Sequence, residues 1–187
     1  MFKSLFVIAL PIILQNLMQS KVNMLDTLMV GQLGSVEIAA VGLGNQIYML
    51  LNMVLFGISS GGAIFIVQFW GKKEKSGIWK MEGVMFSFSI VIALIFTFAS
   101  VFFPKFLIGL YSKDFQVIEI GARYLRIVAF SFPFFAMSFA FSMALRSTEH
   151  VKLPMVATMI SLVLNAILNY LLIFGIGFFP SLGIVGA

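Results

Sequence analysis

The sequence predicts an all-α membrane protein, a transmembrane helix bundle with five complete helices and the start of a sixth. Three observations predict it. The 187-residue chain is 61% hydrophobic and 10% charged, with a mean hydropathy of +1.09, whereas soluble domains sit near about 45–50% apolar and about 25% charged. Its apolar residues form uncharged runs at residues 4–20, 38–71, 83–104 and 153–187, against the roughly 20 residues that cross a bilayer as a helix. The runs are solidly apolar, which excludes the alternating pattern of an outer-membrane barrel. At that length per span, about six spans fit the chain and twelve do not.

Helices are expected at about 5–30, 38–70, 83–104, 119–145 and 153–175, within one N-terminal transmembrane lobe of residues 1–187. The first starts after Lys3 and lacks the small-x-small cleavage site of a signal peptide, so it is read as retained. Pro11 removes one of its helical hydrogen bonds and favours a bend. The second, uncharged between Glu37 and Lys72, is longer than a perpendicular span needs. It is expected to tilt, to project into water, or to break at Gly42/Gly44 or Gly57–Gly62. Gly57 and Gly61 have the GxxxG spacing that lets helices approach closely. The third stops near Pro104. The fourth begins with Arg123 and Arg126 at its entrance, and Pro133 suggests a kink within it. The fifth follows Lys152, and Leu182–Ala187 reads as the start of a sixth.

Lys and Arg set the orientation. Lys3, Lys72, Lys73, Lys75, Lys80, Arg146 and Lys152 fall on one side, and Lys105, Lys113, Arg123 and Arg126 on the other. The larger group marks the cytoplasmic side, so a multi-pass protein of the cell membrane with a cytoplasmic N-terminus is expected. Trp70 and Trp79 flank the most basic loop as interfacial anchors. The basic residues lie in short gaps between apolar runs, so the net charge of +5 gives no reason to expect nucleic acid. The chain has no Cys and one His, which removes disulfides, thiolate metal sites and a His-based metal cluster. No GxxxxGK[ST], HExxH or GxSxG pattern occurs. No enzymatic activity and no organic cofactor are expected.

Two charged residues, Lys21 and Asp26, interrupt the first span, where a charge is costly and marks function by default. Gln15, Gln19, Asn23 and Asp26 are spaced four, four and three, so they share one helix face. Such a stripe belongs against protein or a water-filled cleft. The fifth helix carries a second stripe, Thr158, Ser161, Asn165 and Asn169. One carboxylate with amide and hydroxyl oxygens suits a hard monovalent cation, so Asp26, Asn165 and Asn169 are the candidate Na+ site. A desolvated Asp26 could instead carry a proton. The plainer alternative is that the Asn and Ser stripes join helices. Asn45, Asn52 and Ser59, seven residues apart, could line the same cavity or simply pack. His150 is read as an interfacial residue.

The segment Asp26-Thr27-Leu28-Met29-Val30-Gly31-Gln32-Leu33-Gly34, followed by Ala39-Ala40-Val41-Gly42, resembles the first-helix signature of the multidrug and toxic compound extrusion (MATE) transporters. Residues 57–71, GISSGGAIFIVQFWG, are similar to that family's second-helix pattern. Ala144-Leu145-Arg146-Ser147 with Pro154-Met155 resembles its loop before helix five, and Asn165, Asn169 and the tail IFGIGFFPSLGIVGA resemble helix five and the entry to helix six. The resemblance implies the N-lobe of a twelve-helix, two-lobe transporter. It implies export of small-molecule organic cations or drugs across the lipid bilayer by alternating access, with Na+ or H+ as the coupling ion. A C-terminal lobe of the same protein, absent from this chain, would be its partner. By the same resemblance Asp26 matches the first-helix carboxylate, Asn165 and Asn169 the helix-five polar pair, and Pro11 the bending proline. Asn169 stands where some members have Asp, which leaves Asp26 as the only carboxylate of the inferred pocket. A lipid-linked sugar or lipid flippase of the same superfamily, and a non-transporting membrane fragment, are the alternatives.

Overall fold

The computed structural model describes residues 13, 16–20, 24 and 34–174, with residues 166 and 170–174 described by backbone only. Its elements are α1 (Ser35–Gly71), α2 (Lys75–Phe102), α3 (Pro104–Gly109), α4 (Phe115–Val128), a 3-10 turn (Ala129–Ser131), α5 (Phe132–Ser147) and α6 (Lys152–Phe174). Among the described residues every regular element is helical. Four segments are long and apolar enough to span a bilayer: Ser35–Gly71, Lys75–Phe102, Phe115–Ser147 and Lys152–Asn169. Most of the expected first helix, with Pro11, and the tail at Leu182–Ala187 lie outside the described residues. Residues 40–150 form one compact unit, and the flanking segments form another.

α1 begins after Gly34, whose φ of +148° is one that L side chains rarely adopt. Its carbonyl accepts the first helical bond, from the Ile38 N–H at 3.2 Å. Glu37 lies in the first turn, where the helix dipole favours a carboxylate. Its side chain fills the space a Cβ at residue 34 would need. α1 then runs unbroken for 37 residues, about 55 Å at 1.5 Å per residue. Gly42, Gly44, Gly57, Gly61 and Gly62 all lie within it without a break.

Among the described residues the expected close approach at Gly57 and Gly61 is not found, since a Cβ at either would meet open space. Those glycines lie off the buried face of α1, which is Ala40, Gly44, Ile47, Leu51, Leu55, Ser59, Gly62 and Ile66. The tight contacts fall on that face. The Tyr124 ring lies 2.7 Å from where a Cβ on Gly44 would be, and Met85 occupies the corresponding space at Gly62. Across the turn, Phe69 covers Gly77 at 2.6 Å.

The core of residues 40–150 is a seam of small and large side chains. α5 buries Phe132, Ala136, Ala140 and Ala144, one every four residues. α2 buries Met85, Ser89, Ala93 and Ser100. Ile47, Leu51 and Leu55 of α1 join Ala93, Ile108, Leu125, Phe132 and Ala136 in one cluster. Ile66, Ile78, Met85 and Ala144 form a second.

Prolines and caps set the joints. Pro104 opens α3 immediately after α2 closes with the Phe103 N–H bonded to the Ala99 carbonyl at 2.9 Å. Asp114 caps α4, its Oδ1 accepting from the N–H groups of Gln116 at 2.8 Å and Val117 at 3.4 Å. α4 is amphipathic: Val117, Gly121, Ala122, Tyr124 and Leu125 are buried, while Glu119, Arg123 and Arg126 are exposed. The segment expected at 119–145 is divided at Ala129–Ser131, one turn before Pro133. Pro133 supplies no N–H for the Ala129 carbonyl. That carbonyl accepts instead from the Phe132 N–H within the 3-10 turn and from the Thr97 hydroxyl of α2 at 3.0 Å.

Candidate functional site in the polar stripe of the last helix

Of the residues read as a cation or proton site, Asn165 and Asn169 fall within α6, as do Thr158 and Ser161. Asp26, Gln15, Asn23 and Pro11, and also Lys21, lie outside the described residues. Gln19 is helical and exposed.

α6 starts at Lys152, with Pro154 in its first turn, where a proline costs no helical bond. The next turns present the stripe. The Thr158 hydroxyl donates to the Pro154 carbonyl at 2.8 Å, and the Ser161 hydroxyl donates to the Ala157 carbonyl at 2.9 Å. Each hydroxyl hydrogen is thus directed into the helix's own backbone, as is usual for Ser and Thr within a helix. One and two turns further on, the Asn169 Nδ2 donates to the Asn165 Oδ1 at 3.4 Å. Asn165 is exposed and Asn169 is 5% exposed. Spacing alone had put these amides on one side of the helix, and the structure pairs them.

The Asn165 carbonyl oxygen is polarised by the bond it accepts, and the stripe as a whole is rich in amide and hydroxyl oxygens. The arrangement is therefore oxygen-presenting. It suits a hard monovalent cation or a proton-bearing carboxylate better than a thiolate-seeking or imidazole-seeking metal. Among the described residues no group of three or more His, Cys, Asp or Glu could hold a metal ion.

The other polar residues read from the sequence separate by environment. Asn45 is exposed and accepts from the Tyr124 hydroxyl at 3.5 Å. Asn52 is half-buried and bonded to Tyr48, whose ring lies 4.8 Å from that of Phe135. Ser59 is fully buried with its hydroxyl unpartnered. Seven-residue spacing placed these on similar faces but could not show that only Ser59 is sealed in the packing. His150 is exposed, its ring edge-on to Trp70 at 5.8 Å and its Nδ1 3.2 Å from the Thr148 Oγ1. Sequence reasoning missed the polar links between α2 and the α4–α5 joint. Thr97, the one threonine in the apolar run 83–104, was the available signal.

Helices of this length and hydropathy, one of them carrying a polar stripe, define a multi-pass α-helical membrane protein with hydrogen-bonding groups set inside a span. The chain belongs to the MatE family, whose profile matches residues 11–171. It is 30% identical over 187 residues to a probable multidrug resistance protein, YoeA, of Bacillus subtilis, covering 100% of this chain and 40% of that one. It is 28% identical over 186 residues to a probable multidrug resistance protein, NorM, of Thermotoga maritima, covering 99% of this chain and 40% of the relative. The chain thus spans about 40% of the length of these relatives. Among solved structures, it is similar to an outward-facing multidrug resistance MATE family transporter of the MOP superfamily, with a TM-score of 0.88 and 22% identity over 99% of this chain and 40% of that one. It is also similar to a MOP superfamily transporter from Pyrococcus furiosus, with a TM-score of 0.87 and 21% identity over 98% of this chain and 40% of that one. These likenesses establish the fold as that of a MATE N-terminal lobe.

Proposed function

We propose that this chain is the N-terminal lobe of a secondary active multidrug efflux transporter. It exchanges inward Na+ or H+ for outward cationic or amphipathic compounds by alternating access, in the cell membrane, with its N-terminus in the cytoplasm. The observation that carries the reading is the Asn165–Asn169 pair, an amide couple that continues the Thr158–Ser161 stripe within a span. Hydrogen-bonding groups at that depth are costly unless they serve a partner or a ligand. The relatives named as multidrug resistance proteins support the substrate class.

In this scheme Asp26 supplies the negative charge and Asn165 and Asn169 supply neutral oxygens, with Gln15, Gln19, Asn23, Thr158 and Ser161 lining the cleft. Pro11 lets the first helix bend. Ion and drug each shift the population of two helix conformations by their difference in affinity for them, and exchange follows from that difference. A lipid flippase would want cations deep in the cleft. Arg123 and Arg126 instead sit on the exposed face of α4, which favours the drug reading.

The test is Asp26→Asn in the complete protein. Ion-coupled dye efflux from vesicles is expected to vanish while membrane insertion is unchanged. Normal coupled efflux by that variant would sink the proposal.

A further inference from the structure

α4 meets the end of α2 at a place with unusual chemistry. The Arg126 Nε donates to the Val101 carbonyl at 3.2 Å, which fixes the guanidinium beside the last residues of α2. Arg123 lies one turn earlier on the same exposed face. The neighbouring carboxylate, Glu119, is engaged by the Lys105 ammonium at 2.5 Å. Lys105, Arg123 and Arg126 thus set three cations against one carboxylate. Next to Val101 in the chain, Phe102 and Phe103 are 63% and 57% exposed, and Phe98 packs tilted against Phe102 with centroids 4.5 Å apart.

The depth of this cluster follows from length. α2 is uncharged from residue 83 to its end at Phe102, about 30 Å of helix, and the uncharged residues 127–145 make about 28 Å, so both match roughly 30 Å of hydrocarbon. Val101 and Arg126 stand where both rulers end, at the level of lipid headgroups. Guanidinium groups bind phosphate through paired, charge-assisted hydrogen bonds, and exposed aromatic rings suit the acyl region just below.

We propose that Arg123 and Arg126, with the aromatic skirt of Phe98, Phe102 and Phe103, form a binding site for the phosphate headgroup of an anionic phospholipid. The lipid's phosphate sits against the two guanidinium groups and its acyl chains run down the α2 aromatics.

The test uses the protein purified from its host's membranes at the length its gene makes. In mild detergent it is given equal amounts of phosphatidylglycerol and phosphatidylcholine, and bound lipid is read by native mass spectrometry. Wild type is expected to retain phosphatidylglycerol about tenfold over phosphatidylcholine, the size expected for one charge-assisted contact. Arg123→Gln, which leaves the Arg126–Val101 bond in place, should lower that ratio at least threefold. Lys72→Gln/Lys73→Gln, at the opposite end of α2, should leave it unchanged. Equal retention of the two lipids, or an unchanged ratio in Arg123→Gln, overturns the proposal. So does an equal loss in the lysine variant, or displacement of the lipid by millimolar inorganic phosphate, which would mark a free-anion site.

Discussion

Thr97 and Ser89 are small hydroxyl residues two turns apart on α2, and they have opposite circumstances. The Thr97 hydroxyl donates to the Ala93 carbonyl at 2.8 Å and the Ala129 carbonyl at 3.0 Å, so it supports the carbonyl that Pro133 deprives of a helical partner. The Ser89 hydroxyl is fully buried with no partner. A hydrogen bond between membrane helices is worth about 0.6 kcal/mol on average and up to about 2, and an unpaired buried hydroxyl is itself a cost. Thr97→Val should therefore lower stability by about 1 kcal/mol, while Ser89→Ala should be neutral or stabilising. Reversible unfolding in mixed detergent micelles reads both. Equal losses would mean that packing alone governs these positions. The sequence placed Asn165 and Asn169 on one face through their spacing of four, and it marked Pro133 as a joint. It could not show Thr97 as the partner at that joint, because the bond joins residues 32 apart in sequence, on different helices.

At the level of elements, small residues decide how closely α2 and α5 approach. Ala136 and Ala140 are 0% and 1% exposed, opposite an α2 face that includes Ser89 and Ala93. Without a hydrophobic drive between helices in lipid, association depends on packing and on close backbone approach. Ala140→Leu should push the helices apart and cost about 1–3 kcal/mol, read as a lower midpoint in the same unfolding measurement. Gly57→Leu, which meets open space, should change it little. A reversed order of those two effects would show that the seam has been placed on the wrong face. Here sequence pattern was least informative: the runs that form α2 and α5 are apolar on nearly all sides, so periodicity could not separate the face toward protein from the face toward lipid. Gly57 and Gly61 matched a packing spacing, but the partner helix lies against Gly62 instead. α4 was the exception, because its charges are confined to one side.

Across the whole molecule, two helices measure the same slab independently. α2 carries Lys80 and Glu82 before its uncharged stretch and Lys105 after it, while Arg126 and Arg146 bracket the stretch that ends in α5. Arg126 meets Val101 at one end, and Ala144 clusters with Ile78 and Met85 at the other. The charged ends of the two rods therefore coincide in space, as an apolar layer of about 30 Å requires. This is why the membrane class was legible from composition and run length alone: burial in lipid constrains every residue of a span, not one face. The same geometry makes the turns at Gly71–Lys75 and Leu110–Phe115 lie on opposite sides of the bilayer. These 187 residues hold no cysteine, so a cysteine introduced among them is their single thiol, and any cysteine elsewhere in the complete protein is replaced by Ser before labelling. Ser76→Cys and Lys113→Cys, both at exposed or partly exposed positions near those turns, should react with an impermeant maleimide from opposite faces. Ser76→Cys should react only once the cytoplasmic face is open, and Lys113→Cys in intact cells. Labelling of both from one side would overturn the spanning arrangement of α2. Labelling from opposite sides but in the reverse sense would keep the bundle and invert the proposed orientation.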